Sequence, residues 1–204
     1  KLNAKMLPFA GYEMPITYSK GIQYEYDAVR NTSGVFDVSH MGQIIVNGKE
    51  SLELLQYITI NDVSLLNNGD AQYTALCNNN GGIKDDIIIY KCSNQFILIV
   101  NASNCEKIFK WMLENNRFNC SIENKTDQFS LIAIQGPSSR KILNKIIEDK
   151  NDLKFYKHKM VKINGREILL SRTGYTGELG FEVLGAHNII IEVWKKMIEL
   201  GVTP

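Results

Sequence analysis

Histidine, proline and cysteine are scarce in these 204 residues, with three, four and four copies respectively. The cysteines, Cys77, Cys92, Cys105 and Cys120, form no C-x-x-C pair and fall in strand- and helix-like segments. Reduced core thiols are therefore expected rather than disulfides or a metal site. His40, His158 and His187 lie far apart, so no zinc pattern exists. No apolar run approaches the ~20 residues of a membrane span. Excess charge of one sign is also missing: 23 basic and 22 acidic residues leave a net charge of +1. No global field favours nucleic acid or an anionic membrane, and neither is expected as a partner. There is no G-x-G-x-x-G opening a helix, no Gly-Lys-Ser/Thr phosphate loop and no G-x-S-x-G nucleophile elbow.

What is present is ordinary globular material, 44% hydrophobic and 22% charged, enough for one large domain or two small ones. Residues 1–31, with Pro8, Gly11, Pro15 and Gly21, read as irregular. Strands are expected at Gly34–Val38, Gln43–Val46, Ala71–Leu76, Asp85–Lys91, Phe96–Val100 and near Cys120–Glu123. A helix with Leu52, Leu55 and Ile58 inward precedes the Asn67-Asn-Gly69 turn. Cys105, Ile108, Phe109 and Met112 follow helical spacing from about Asn104 to Asn115. A second unit begins at Phe129. It has a strand through Leu131–Ile134 and a helix after Ser138 with Ile142, Leu143 and Ile146 inward. A hairpin over Met160–Val183 and a helix over His187–Leu200 follow, the helix carrying Ile190, Trp194, Met197 and Ile198 on one face. Both units read strand, glycine, helix, hairpin, helix. The fold class expected is α+β, with antiparallel sheets backed by helices.

Three clusters carry possible chemistry. Arg172-Thr-Gly-Tyr-Thr-Gly-Glu-Leu-Gly-Phe-Glu182 spaces glycines every third position around an aromatic and two carboxylates. Its acids suit a ligand with N–H donors rather than a phosphate; as a plain hairpin, its glycines would only make the turn. Asn78-Asn-Asn-Gly-Gly-Ile-Lys-Asp-Asp86 ends in two acids that point to opposite faces of a strand. One of them runs on into Ile87, Ile88 and Ile89, where burying a charge costs several kcal/mol unless it is paired. An acid held there is a candidate proton acceptor; the plainer reading is a turn acid at a strand start. Phe36-Asp-Val-Ser-His-Met41 offers His40, which reads as a hydrogen-bonded structural histidine. A hydrolase triad of Asp37, Ser39 and His40 is rejected, because triad members come from separated segments.

With these clusters stand Phe9-Ala-Gly-Tyr-Glu-Met-Pro15, Val29-Arg30, Val100-Asn101-Ala102 and Ala133-Ile-Gln-Gly-Pro137. In this order the stretches resemble the T-proteins of the glycine cleavage system, folate-dependent aminomethyltransferases, over almost the whole chain. Tyr12 stands where that family usually has tryptophan, and Tyr26 where a histidine is common.

The resemblance implies transfer of an aminomethyl-derived one-carbon unit from the lipoyl group of H-protein to tetrahydrofolate. Ammonia is released and 5,10-methylenetetrahydrofolate formed. It implies a folate site at the centre of a three-domain cloverleaf. Residues 1–42 and 129–204 would make the discontinuous, folate-binding first domain, and 43–128 the inserted second. A third domain with a G-A-R-D segment would follow Pro204, so the expectation is a truncated chain and activity in the complete protein. Asp86 matches the catalytic aspartate, placed near N-10 of folate to orient it, accept a proton and stabilise developing positive charge. Glu182 matches the acid that takes two parallel N–H bonds from the pterin edge. Met41, Tyr73, Val100 and Tyr175 match residues that line the folate, where flat rings favour aromatic and thioether surface.

Two further readings belong to other classes. One is a non-catalytic folate-binding protein that supports iron–sulfur protein maturation; its K-G-C-Y-x-G-Q motif is replaced here by Arg172-Thr-Gly-Tyr-Thr-Gly-Glu178. The other is the folate domain of a larger amine dehydrogenase with an N-terminal flavin domain. The resemblance implies the mitochondrial matrix for a eukaryotic source, with any targeting peptide outside the chain, and the cytoplasm for a bacterial one.

Overall fold

The computed structural model describes residues 2–204. In the first third of the chain lie β1 (Lys5–Phe9), β2 (Tyr12–Thr17), α1 (Ile22–Asn31), β3 (Gly34–Asp37), β4 (Gly42–Gly48) and α2 (Ser51–Ile58). The middle carries β5 (Ala71–Cys77), β6 (Ile83–Lys91), β7 (Gln95–Val100), α3 (Cys105–Asn115) and β8 (Cys120–Asn124). The last third carries β9 (Phe129–Gln135), α4 (Ser139–Leu143), β10 (His158–Ile163), β11 (Arg166–Ser171), β12 (Gly180–Ala186) and α5 (His187–Glu199). They divide into two compact units, one from the residues up to His40 together with Gln128–Pro204, the other Met41–Asp127.

In the discontinuous unit five strands run β10-β11-β12-β9-β3, every pairing antiparallel. Helix α5 turns Ile189, Ile190, Val193 and Met197 toward the sheet, and all four are buried with Ile132, Ile134, Phe181 and Val183. Full burial of such a side chain is worth about 1.5–3 kcal/mol, so this stripe holds α5 on the sheet. Helix α4 is shorter than the sequence suggests. Leu143 is fully buried, while Ile142 and Ile146 are only partly so, and the chain leaves the helix after Leu143.

Residues 1–31, read as irregular, instead contain the β1–β2 hairpin and α1. The prolines hid the hairpin. Pro8 pairs with Glu13 and Pro15 with Met6 in a two-stranded sheet, where both strands are edges and a missing N–H is tolerated. Ala10 and Gly11 make the turn, both at positive φ (49° and 84°), the geometry that matches strand twist. Helix α1 has no side-chain N-cap, its cap being Gly21, so the sequence carries no start signal there.

In the continuous unit the sheet order is β5-β6-β7-β4-β8, again antiparallel throughout. Helices α2 and α3 bury Leu54, Leu55, Ile58, Ile108 and Met112 with Ile44, Ile87, Ile89 and Leu98. Leu52, expected inward on α2, is only partly buried, and Leu54 takes that place. Strand β6 alternates: Asp85, Ile87 and Ile89 are buried, while Lys84, Asp86 and Ile88 are half-buried on the other face. No helix among the described residues is long and apolar enough to cross a membrane.

Candidate functional site

The Asn78–Gly82 turn delivers the acid pair. Asn78 Oδ1 accepts from the backbone N–H groups of Asn80 and Gly82, at 3.0 and 2.9 Å, and Gly81 sits at φ 78°. Strand β6 then places Ala75 opposite Asp86 and Tyr73 opposite Ile88, so Tyr73 lies diagonal to Asp86 on one face of the sheet. The Tyr73 hydroxyl donates to Asp86 Oδ2 at 2.8 Å. On the other side of the carboxylate, Asn101, the first residue after β7, donates from Nδ2 to Asp86 Oδ1 at 3.0 Å. Both carboxylate oxygens are thus held, while the group stays half-buried and its tyrosine is exposed.

Asp85 points the other way. It is 4% exposed, with one oxygen accepting from the amides of Asn101 and Asn104, both at 2.8 Å, and the other from the Asn101 backbone N–H at 3.1 Å. Those amide donors compensate the burial that the sequence flags as costly. Asn101 therefore joins the two acids. Sequence reasoning carried it only as a weak part of the Val100-Asn101 match and missed Asn104 altogether. The legible signal was an asparagine pair closing an unbroken apolar strand. Val100 ends β7 with its side chain fully buried in the core of the unit, so only its backbone is left to face a ligand. Met41 is half-buried, and its carbonyl accepts from the Gln43 side-chain amide.

In the discontinuous unit, Glu182 sits in mid-β12, paired with Ala133 on one side and Ser171 on the other. One of its carboxylate oxygens accepts from the Thr173 hydroxyl, which lies 2.8 Å from the Ser171 hydroxyl. Glu182 is half-buried, and Ser171 and Thr173 are buried. Burial first, then the Glu182 charge, pushes the nearby Tyr156 phenol up from its ordinary value. The glycine-rich loop is built around Gln135, which is 2% exposed at the end of β9. A Cβ on Gly174 or Gly180 would lie 2.2 or 2.1 Å from its Oε1. That same oxygen accepts from Thr176 at 2.9 Å. Two of the three glycines therefore admit the Gln135 amide, and Gly177, at φ 75° in open space, makes the turn. Tyr175, at the tip, is 97% exposed. Arg30 of α1 reaches the loop, donating to the Thr176 carbonyl and to Glu178, each at 3.0 Å.

His40 is not the hydrogen-bonded structural histidine expected. Its Nδ1 is buried without a partner, and its ring packs T-shaped on Phe9 and tilted against Tyr12 of the β1–β2 hairpin, centroids 5.8 and 6.2 Å away. Burial lowers its proton affinity, and the Asp37 charge offsets this in part.

The structure thus brings together Tyr73 and Asp86 within one unit and places Glu182 and Tyr175 within the other. The profile of the GCVT N-terminal domain matches residues 1–203. The chain belongs to that family. It is 48% identical to the aminomethyltransferase of Caldanaerobacter subterraneus subsp. tengcongensis, over 98% of this chain and 54% of that protein. The crystal structure of glycine cleavage system aminomethyltransferase T from Bartonella henselae superposes with a TM-score of 0.90 at 32% identity, over 97% of this chain and 54% of that one. The chain spans about half the length of these relatives. Heterotetrameric sarcosine oxidase from Corynebacterium sp. U-96 superposes at a TM-score of 0.62 with 12% identity, which is a likeness of fold alone.

Proposed function

We propose that this member of the GCVT family forms the folate-handling part of an aminomethyltransferase. The complete protein would move the aminomethyl-derived carbon from the lipoyl arm of H-protein to tetrahydrofolate, with release of ammonia. The observation that carries the reading is Asp86: a half-buried carboxylate whose two oxygens are fixed by Tyr73 and Asn101. A carboxylate oriented in advance needs little reorganisation when positive charge develops beside it, and it can take a proton from an amine nitrogen within reach. Tetrahydrofolate supplies the acceptor nitrogens, and Tyr73 offers an exposed aromatic face to flat rings. Glu182, set by Thr173, is an acceptor for the N–H donors of a pterin.

Tetrahydrofolate and lipoylated H-protein are the proposed partners, and the cytoplasm the proposed compartment. The Caldanaerobacter and Bartonella relatives are bacterial, so the mitochondrial alternative draws no support from them. Both carry an aminomethyltransferase name, and nothing in them favours the non-catalytic, iron–sulfur-linked reading. The testing experiment is Asp86→Asn in the complete protein. Turnover should collapse while folate affinity stays within about tenfold, because the swap keeps size and alters one or two hydrogen bonds. Turnover at the parental level would remove Asp86 from the reaction.

A further inference from the structure

The pair Asp85–Asp86 contains one acid exposed enough to meet a ligand and one sealed beneath it, and the hydrogen bonds joining them run through a single amide. Asn101 Nδ2 lies within bonding distance of Asp85 Oδ1 (2.8 Å), Asp86 Oδ1 (3.0 Å) and the Asp86 carbonyl (3.1 Å). An amide nitrogen has two hydrogens, so among three acceptors they are shared, and the rotamer is set by the strongest acceptor. Asp85 is that acceptor. Its second oxygen also takes the Asn101 backbone N–H at 3.1 Å, so Asp85 grips Asn101 at both main chain and side chain. Asn104, donating at 2.8 Å from just before α3, closes the ring on the far side of Asp85. A buried carboxylate with two amides and a backbone N–H converging on it is a costly arrangement. The unit's apolar core would be served as well by a leucine or valine there.

We propose that Asp85 is a positioning residue: its buried carboxylate locks Asn101, and Asn101 in turn holds the carboxylate of Asp86 in the orientation its chemistry needs. The inference rests on the aminomethyl-transfer reading of Asp86. Asp85 itself touches no ligand; it acts through a hydrogen-bond relay one residue long, on the opposite face of β6. In Asp85→Asn the side chain cannot accept at both oxygens. The Asn101 N–H then faces an amide NH2, and the Asn101 side chain loses its fixed rotamer. Tyr73 still holds Asp86 Oδ2, so the acid remains in place but is free to swing about that bond.

The test is a double-mutant cycle in the complete protein, reading kcat and the tetrahydrofolate KM separately, with circular dichroism and thermal unfolding on every variant. Asp85→Asn and Asn101→Ala should each lower kcat about tenfold or more, with KM changed less than about threefold, because an orienting bond to a charged group is lost rather than a binding contact. In the Asp86→Asn background the same substitutions should lower the residual kcat by less than twofold, since nothing remains for them to orient. A residue that merely stabilises the fold would cost the same in both backgrounds, and that equality overturns the proposal. So does a kcat within twofold of parental for Asp85→Asn in folded protein. If Asp85→Asn does not fold, Asn104→Ala runs through the same cycle. It removes one Asp85 donor without touching Asp86, and the same non-additivity decides. Failure of the underlying reading has a different signature: Asp86→Asn alone would leave turnover intact, whatever Asp85 does.

Discussion

Gly180 is the position where a single methyl group should be felt most. Its backbone is unexceptional, so Gly180→Ala carries no left-handed strain, and the loss of unfolded-state freedom would even favour the variant by about 0.4–1 kcal/mol. Packing opposes it. The new Cβ would stand 2.1 Å from Gln135 Oε1, 2.3 Å from Cδ and 2.4 Å from Nε2. Gln135 is 2% exposed and cannot swing into solvent without leaving the end of β9. Its firm bond is the one from Thr176 at 2.9 Å; the contacts of Nε2 with the Thr173 and Phe181 carbonyls, at 3.4 and 3.5 Å, are long and weak. Displacing the amide loses about 1 kcal/mol for the Thr176 bond and strands a buried amide at about 1–3 kcal/mol. Overpacking adds about 1–3 kcal/mol. The net expectation is a destabilisation of about 2–6 kcal/mol.

Gly177→Ala is the internal comparison. Nothing lies within 4 Å of its added Cβ, and φ is 75°, so only the left-handed backbone term of about 1–2 kcal/mol applies. Urea unfolding followed by circular dichroism measures both, and repeating Gly180→Ala in a Gln135→Ala background isolates the clash. There the added methyl finds space and its cost should fall below about 0.5 kcal/mol. The account is wrong if Gly180→Ala costs less than Gly177→Ala, or if its cost is unchanged when the Gln135 amide is absent.

The other predictions are smaller in scope. Glu182→Gln should weaken tetrahydrofolate binding by about 1–3 kcal/mol in equilibrium titration, and an unchanged dissociation constant would take Glu182 out of the pterin role. His40 has its proton affinity lowered by burial. The unfolded chain therefore binds the proton more readily, and stability falls as pH drops through the ordinary value of 6.5 toward the lower folded one. His40→Gln should flatten that acid-side slope between about pH 7 and 5 in pH-resolved unfolding, and an unaltered slope would assign it to other groups. Arg30→Ala should leave the urea-unfolding midpoint close to that of the parent, because its ion pair with Glu178 is solvent-screened; a large drop in the midpoint would mean that Arg30 organises the glycine-rich loop rather than resting on it.

Regular elements with strong periodicity were legible in the sequence: α3 from Cys105, Ile108 and Met112, and β6 and β7 from their β-branched runs. The hairpin at residues 5–17 was not. Its signals were prolines and exposed apolar residues, and what makes it a hairpin is an Ala10-Gly11 turn whose first residue rarely adopts positive φ. The site divided the same way. Asp86, Tyr73 and Glu182 came from motif resemblance. The groups that hold Asp86 and Glu182, namely Asn101 and Thr173, and Asn104, which holds Asp85, are short polar side chains of common type, and their importance lies in where β7 ends and how β11 leaves the sheet. Val100, in a matching motif beside Asn101, has its side chain sealed in the core by strand alternation.

Strand alternation is also why two adjacent acids do different work. A period of two sends Asp85 down among Ile87 and Ile89 and Asp86 up beside Tyr73. Had the sequence needed only an exposed acid, Asp86 following an apolar residue would have met the requirement without desolvating a second charge. The buried acid has to be held by donors, and the donor that holds it is the one that also reaches the exposed acid. Strand geometry thus fixes the height of Asp86 through its Ala75 pairing, Tyr73 fixes one oxygen, and the Asp85–Asn101 link fixes the other. Three constraints, two from β5 and one from the residue after β7, leave the carboxylate little rotational freedom. Such a group changes its environment little when charge develops next to it, which is the physical requirement for electrostatic stabilisation of a transition state.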